Sequence, residues 1–151
     1  MPRTLRDRAF QAWWRIQRPM TLGVRGLVRD SGGGVLLVKH TYTPGWHFPG
    51  GGVEKGETAL LSLARELEEE AGVRPVTQPT LLGVFANARN FPNDHVLLFE
   101  INSWMETPAT ARGEIVERRF FTLDALPEGV TAGTQRRLDE IAGRMARSEE
   151  W

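Results

Sequence analysis

Residues 51–73 read GGVEKGETALLSLARELEEEAGV, and the reading of the whole chain turns on this stretch. Its centre is helical. Ala59, Leu60, Leu63, Ala64, Leu67 and Ala71 recur at helical spacing, Thr58 is a good N-cap, and Gly72 is a good residue to end on. On that helix Glu66, Glu69 and Glu70 stand at i, i+3 and i+4, so their carboxylates converge on one face. They occupy its last turns, where main-chain carbonyls already supply partial negative charge. Three like charges placed there call for a compensating cation. Hard divalent ions with oxygen ligands, magnesium or manganese, suit them. A glutamate run on its own is more often a solvated face. This one has company that a solvated face does not need: the Gly51-Gly52 turn, Glu57 at the helix start and Arg65 within it. Gly51 to Gly56 also has the spacing of a phosphate-binding loop, but Glu57-Thr58 stands where that motif needs Lys-Thr. A glutamate there repels phosphate unless a metal comes between them.

Outward from this stretch the pattern alternates strands and helices. Two strand-like runs precede it, Thr21–Val28 and Val35–His40, separated by the glycine-rich turn at 30–34. Leu22, Val24, Gly26 and Val28 share one face of the first run, with Arg25 on the other. Strand-like runs follow at 81–88, 95–102 and 116–122. A last helix, starting near Thr131 or Thr134, carries Leu138, Ile141, Ala142 and Met145 inward. Residues 4–17 read as a short helix with Phe10, Trp13 and Trp14 on one side and arginines elsewhere, closed by Pro19. The fold class expected is α/β, a mixed β-sheet between helices in an α/β/α sandwich. Residues 1–19 form a basic-aromatic helix packed on the domain, and 20–151 form the domain itself.

Composition narrows the function classes. Formal net charge is zero, so the molecule as a whole is not a nucleic-acid binder by charge. No apolar run approaches the ~18 residues that span a bilayer, and no membrane partner is expected. With no cysteine there are no disulfides, no thiolate metal sites and no thiol nucleophile; a cytoplasmic location fits. The three histidines do not build a zinc site, since His40, His47 and His95 fall on different local elements.

Gly51, Glu57, Arg65, Glu66, Leu67, Glu69, Glu70, Gly72 and Val73 together fill the pattern G-x5-E-x7-R-E-u-x-E-E-x-G-u, where u is apolar. This segment resembles the Nudix box of the Nudix hydrolases. The resemblance implies a Nudix-type sandwich and a Mg2+-dependent pyrophosphohydrolase, with Mn2+ as substitute. It would cleave the diphosphate linkage of a nucleoside diphosphate-X or nucleoside triphosphate. Carried over, Glu66, Glu69 and Glu70 are metal ligands, the Gly50 carbonyl is a further one, and Glu57 stands at the edge of the metal shell. Arg65 orients Glu57 or a neighbouring ligand. Glu66, Glu69 and Arg65 would take part in catalysis. The base that removes the water proton is Glu114, Glu117 or a box glutamate. Expected substrate contacts are Arg25, His40, Tyr42, Trp46, Phe85, Asn87 and Arg89, although packing is the commoner role for a tryptophan such as Trp46.

The subfamily stays open. The proline that marks the ADP-ribose group about sixteen residues past the box is replaced by Arg89, and the only tyrosine is Tyr42. The expected partner is a small nucleotide-type molecule rather than nucleic acid. The N-terminal helix has two further readings, packing in a homodimer or steering an RNA 5′-end. A non-catalytic nucleotide sensor is the alternative from another class; an intact box and a single domain of this length speak against it.

Overall fold

The computed structural model describes residues 5–110 and 113–151. The expected helix start at residue 4 lies outside them. In chain order the elements are α1 (Leu5–Gln17), β1 (Thr21–Val28), β2 (Val35–His40), β3 (Trp46–His47), β4 (Gly50–Gly52), α2 (Ala59–Glu66), β5 (Val73–Pro75), β6 (Thr80–Ala86), β7 (Asp94–Ile101), β8 (Trp104–Glu106), β9 (Ile115–Phe121) and α3 (Ala132–Ile141). α2 continues as a π-helical turn over Leu67–Ala71. The five expected strands and the starts of the three expected helices stand within two residues of where the sequence puts them. The short strands β3, β4, β5 and β8 carry too few residues to show an alternation and were not expected.

A mixed sheet runs β4-β1-β7-β6, parallel between β1 and β7 and antiparallel elsewhere. A second sheet runs β3-β2-β9, and β5 pairs with β8. The run Val35-Leu36-Leu37-Val38 shows why this makes a sandwich. Leu36 and Val38 pack with Leu63 and Leu67 of the α2 unit, whereas Val35 and Leu37 pack with Leu138 of α3. Alternate residues of one strand thus feed two cores, one on each face. Truncating a fully buried leucine such as Leu67 to alanine costs about 2–5 kcal/mol in cores of this kind.

Gly26 sets how closely α2 approaches β1. A Cβ there would lie 2.8 Å from Leu67 Cδ2 and 3.2 Å from Ile101 Cδ1, so only hydrogen fits without displacing the helix. Within the expected apolar stripe Leu60 is 37% exposed, and Ser62 is buried instead because its hydroxyl bonds the Gly52 carbonyl. Met145, expected inward on the last helix, is exposed, since α3 ends at Ile141 and the chain turns through Gly143.

None of the residues of α1 is buried. Its aromatics pack on one another, with ring centroids 5.3 Å apart for Trp13 and Trp14, and Arg18 lies over the Trp14 ring. Among the described residues no helix is long and apolar enough to cross a membrane.

Candidate active site

The glycine turn and the end of α2 are folded against each other by three glycines and one carboxylate. Gly50 has φ +151°, and a Cβ on it would collide with the Val24 carbonyl of β1. Gly51 passes so close to Glu66 that a Cβ would sit 2.5 Å from its carboxylate carbon. Glu70, buried, accepts the Gly50 N–H on Oε2 at 3.0 Å and stands 2.7 Å from His40 Nε2 through Oε1. At the far end Gly72 adopts φ +61°, the left-handed conformation that closes a helix.

The last carbonyls of the π-helical turn find partners outside the helix. Thr110 N–H donates to the Glu69 carbonyl at 3.1 Å, and the Arg118 guanidinium donates to that of Ala71. Carbonyls at a helix end have no partner within the helix, and these contacts satisfy two of them.

Arg65 is the hub of the acidic face. Its Nε and Nη2 donate to the two oxygens of Glu57 at 3.0 and 3.1 Å, and its Nη1 donates to Glu66 Oε1 at 2.8 Å. Glu69 Oε2 lies 3.5 Å from the same Nη1. This fork on two carboxylates is a geometry that lysine cannot reproduce. The hydrogen bonds to Glu57 and Glu66 raise the pKa of Arg65, and the bond to Arg65 lowers that of Glu57. Glu66 moves the other way. Burial, together with repulsion from Glu70 and Glu69, holds it above the usual carboxylate range despite Arg65.

Across β1, Arg25 donates from Nη1 to the Phe48 carbonyl at 2.9 Å and to the Gly50 carbonyl at 3.3 Å. Burial lowers its pKa, opposed by Glu70 and Glu66. Arg25 faces two clefts. One, of ≈ 360 Å³, is lined by Thr21, Gly51, Asn87, Phe91, Asp94 and Trp151 among others. The other, of ≈ 320 Å³, is lined by His47, Asn87, Asn90, Thr131 and Trp151 among others. The two share Arg25, Asn87 and Trp151. Burial chiefly, with Arg25 and His40 adding repulsion, lowers His47 from its usual 6.5 to about 4, and its Nε2 donates to the Pro44 carbonyl.

The expected site residues are thus divided. Glu57, Arg65, Glu66, Glu69, Glu70 and Gly50 come together, and Arg25 and Asn87 line the clefts beside them. His40 is buried and bonded to Glu70, so it braces a box carboxylate instead of facing a substrate. Tyr42 is exposed against the His40 ring at 5.1 Å. Burial raises its phenol pKa, helped by Glu70 and Glu114, which puts Glu114 on the same side as the box. The Glu114 loop is pinned by Thr41, whose N–H bonds the Glu114 carbonyl at 2.9 Å. Glu117 is tied to Arg119 on β9.

Three expected contacts are corrected. Trp46 and Phe85 are 4% and 3% exposed and belong to the apolar core with Phe48 and Leu138, because the sheet turns those positions inward. Arg89 spends its charge on Glu150 at 2.7 Å on the surface and lines neither cleft. Trp151, Asp94 and His47 line the clefts and were not expected. Asn87 carried the only sequence hint for that wall.

Among the described residues no three histidine, aspartate or glutamate side chains are grouped closely enough to hold a metal as they stand. Arg65 pairs with Glu57, Glu66 and Glu69, and His40 Nε2 stands at hydrogen-bond distance from Glu70. The donor chemistry nevertheless fits a divalent ion. Glu66, Glu69 and Glu70 are hard oxygen donors at one end of the helix, and a single Arg65 nitrogen draws Glu66 and Glu69 together.

The comparisons with known proteins agree with this geometry. The family model described as NUDIX domain matches residues 19–141. An ADP-ribose pyrophosphatase of Methanocaldococcus jannaschii is 30% identical over 119 residues, covering 76% of this chain and 69% of that one. An 8-oxo-dGTP diphosphatase of Proteus vulgaris is 41% identical over 70 residues, covering 45% of this chain and 60% of its own length. Among solved structures, a MutT NUDIX hydrolase from Burkholderia pseudomallei superposes with a TM-score of 0.69 at 26% identity, covering 80% of this chain and 97% of that one.

Proposed function

The chain belongs to the Nudix hydrolase family, and we propose that it is a divalent-metal-dependent pyrophosphohydrolase cleaving the diphosphate linkage of a nucleoside diphosphate-X or nucleoside triphosphate. The observation that carries this reading is the Arg65 fork, which gathers Glu57, Glu66 and Glu69 beside the Gly50–Gly52 turn at the edge of the Arg25 cleft. The relatives differ in named substrate, one for 8-oxo-dGTP and one for ADP-ribose, so a purine nucleoside diphosphate is common ground while the base and the group beyond the diphosphate are not.

Nudix hydrolases generally use divalent ions, and Glu66, Glu69, Glu70, the Gly50 carbonyl and, at the edge, Glu57 would hold Mg2+ or Mn2+ here. When bound, such an ion lowers the pKa of water and offsets phosphate charge. The chain's own residues do the rest. Arg65 fixes the orientation of Glu57 and Glu66, while Gly50 N–H and His40 fix that of Glu70. Arg25, anchored by one nitrogen on two carbonyls, offers its remaining N–H groups to a substrate phosphate. Glu114 is the residue that accepts the proton from water, since Glu117 is already paired with Arg119.

The test is hydrolysis of ADP-ribose, sugar nucleotides, dinucleoside polyphosphates, and normal and oxidised nucleoside triphosphates with magnesium, each repeated with a chelator. At least one substrate is expected to be cut at its diphosphate, and chelation to stop it. Cleavage that survives chelation would overturn the metal-dependent reading.

A further inference from the structure

The place where the two clefts meet is floored by a side chain from the last residues of the chain. Residues 149–151 run alongside β6: Ala86 N–H bonds the Glu149 carbonyl at 2.9 Å, and Trp151 N–H bonds the Ala86 carbonyl at 2.8 Å. Trp151 is then held from several sides. Its ring meets Phe85 and Phe48 edge-on, at 5.9 and 6.3 Å between centroids. A Cβ on Gly133 of α3 would collide with its indole, so α3 is cut back to make room. Arg137, fully buried, bonds the Glu150 carbonyl at 2.9 Å and lies over the Phe85 ring at 3.9 Å. The two phenylalanines beneath are buried, yet Trp151 is only half-buried and lines both clefts. A flat ring fixed by main-chain pairing, with a surface left toward a polar cleft, is a stacking platform of low entropic cost.

Thr21, Asn87 and Asp94 line the same cleft. Asp94 accepts from Thr21 Oγ1 and from Asn87 Nδ2, each at 2.7 Å, one on each carboxylate oxygen. That fills two of about four acceptor positions and locks the carboxylate plane. Asn87 has its own carbonyl occupied by Asn90 Nδ2 at 2.8 Å. Asp94 is therefore the fixed acceptor of this wall, while Arg25, which also lines the cleft, already donates to the Phe48 and Gly50 carbonyls.

We propose that this junction is a nucleobase subsite, with the base stacked on Trp151 and its hydrogen-bond-donor edge on Asp94. The chemistry selects a guanine-type base. Guanine presents a ring N–H and an exocyclic amine side by side, which a carboxylate accepts together. Adenine presents one amine beside a ring acceptor, which would oppose the carboxylate. This rests on the pyrophosphohydrolase reading for its placement beside the box, but it is tested separately.

Calorimetric binding of GDP, IDP and ADP in the presence of magnesium tests it, with kcat/KM for GTP, ITP and ATP wherever turnover occurs. Wild type should prefer guanine to adenine by about tenfold to a hundredfold, the worth of one good bidentate base contact, with hypoxanthine between them. Asp94→Asn should erase that preference. Trp151→Ala should weaken all three nucleotides by about tenfold or more, and Trp151→Phe should restore most of the loss. Thermal unfolding of each variant separates lost stacking from lost fold, and Asp94→Asn stands as the test should Trp151→Ala fail to fold. Equal binding of the three nucleotides by wild type, or a preference unchanged in Asp94→Asn, would overturn the proposal while leaving hydrolysis intact. A guanine preference without turnover of any nucleotide would sink the hydrolase reading and keep the subsite.

Discussion

The acidic end of α2 and the cleft beyond Arg25 are adjacent but assembled in opposite ways. The acidic end is made from one continuous stretch, 50–72, whose parts hold one another: Arg65 to Glu57 across eight residues, Glu70 to Gly50 across twenty. Apart from Gly51 and Gly52, which it shares with that stretch, the cleft is made from separate segments contributing Thr21, His47, Asp94, Thr131 and Trp151. A unit built from neighbours in sequence can keep its geometry while everything around it changes. A wall built from distant segments can be altered one residue at a time. Conserved chemistry with exchangeable specificity is what such a division of labour permits, and the different named substrates of the relatives are in keeping with it.

The largest effect that would blur this division is expected at Glu114, which lies outside the continuous stretch yet is assigned the proton-accepting role. Glu114→Gln should lower kcat by about 10²–10⁴-fold with the thermal midpoint unchanged. Unaltered kcat would return that role to the box and make the division sharper still. Next comes Arg65→Lys, which keeps the charge but loses the fork on Glu57 and Glu66. Turnover should fall by about 10- to 100-fold, as for other groups that orient metal ligands. Full activity in the lysine variant would show that charge alone suffices there.

The smallest effect expected is in the cleft wall, at His47. Burial and the nearby Arg25 and His40 lower its pKa to about 4, so it stays neutral at pH 7. In the unfolded chain it titrates near 6.5. Between those values the unfolded state binds the proton that the folded state refuses, so stability is complete above about 6.5 and is lost as the pH falls toward 4. Because His47 is partly exposed, the slope should be modest. Thermal midpoints between pH 8 and 4.5 should decline less steeply in His47→Asn than in wild type. Parallel curves would remove His47 from the acid response.

How much of this was legible follows from the same contrast. The stretch 51–73 could be read because its decisive relations are helical spacings and a nearby turn, which sequence displays directly. The sandwich could be read because strand-like and helical periods follow one another along the chain in an order that calls for a sheet covered by helices. The capping of that helix end could not, since Thr110 and Arg118 reach its last carbonyls from elsewhere. Trp46 and Phe85 were expected in the cleft because an aromatic residue in a strand does not announce which face it takes. Trp151 went unnoticed for the complementary reason: its position is set by pairing with Ala86, sixty-five residues away, which no local pattern records.

If the box carboxylates hold the ion that turnover needs, ion binding and cleavage must fall together. Manganese binding followed by electron paramagnetic resonance, in wild type and in Glu69→Gln at matched thermal stability, measures the first, and hydrolysis of the best substrate measures the second. Wild type should bind manganese and cleave, and Glu69→Gln should weaken both. A Glu69→Gln protein that binds the ion and cleaves like wild type would contradict the central claim.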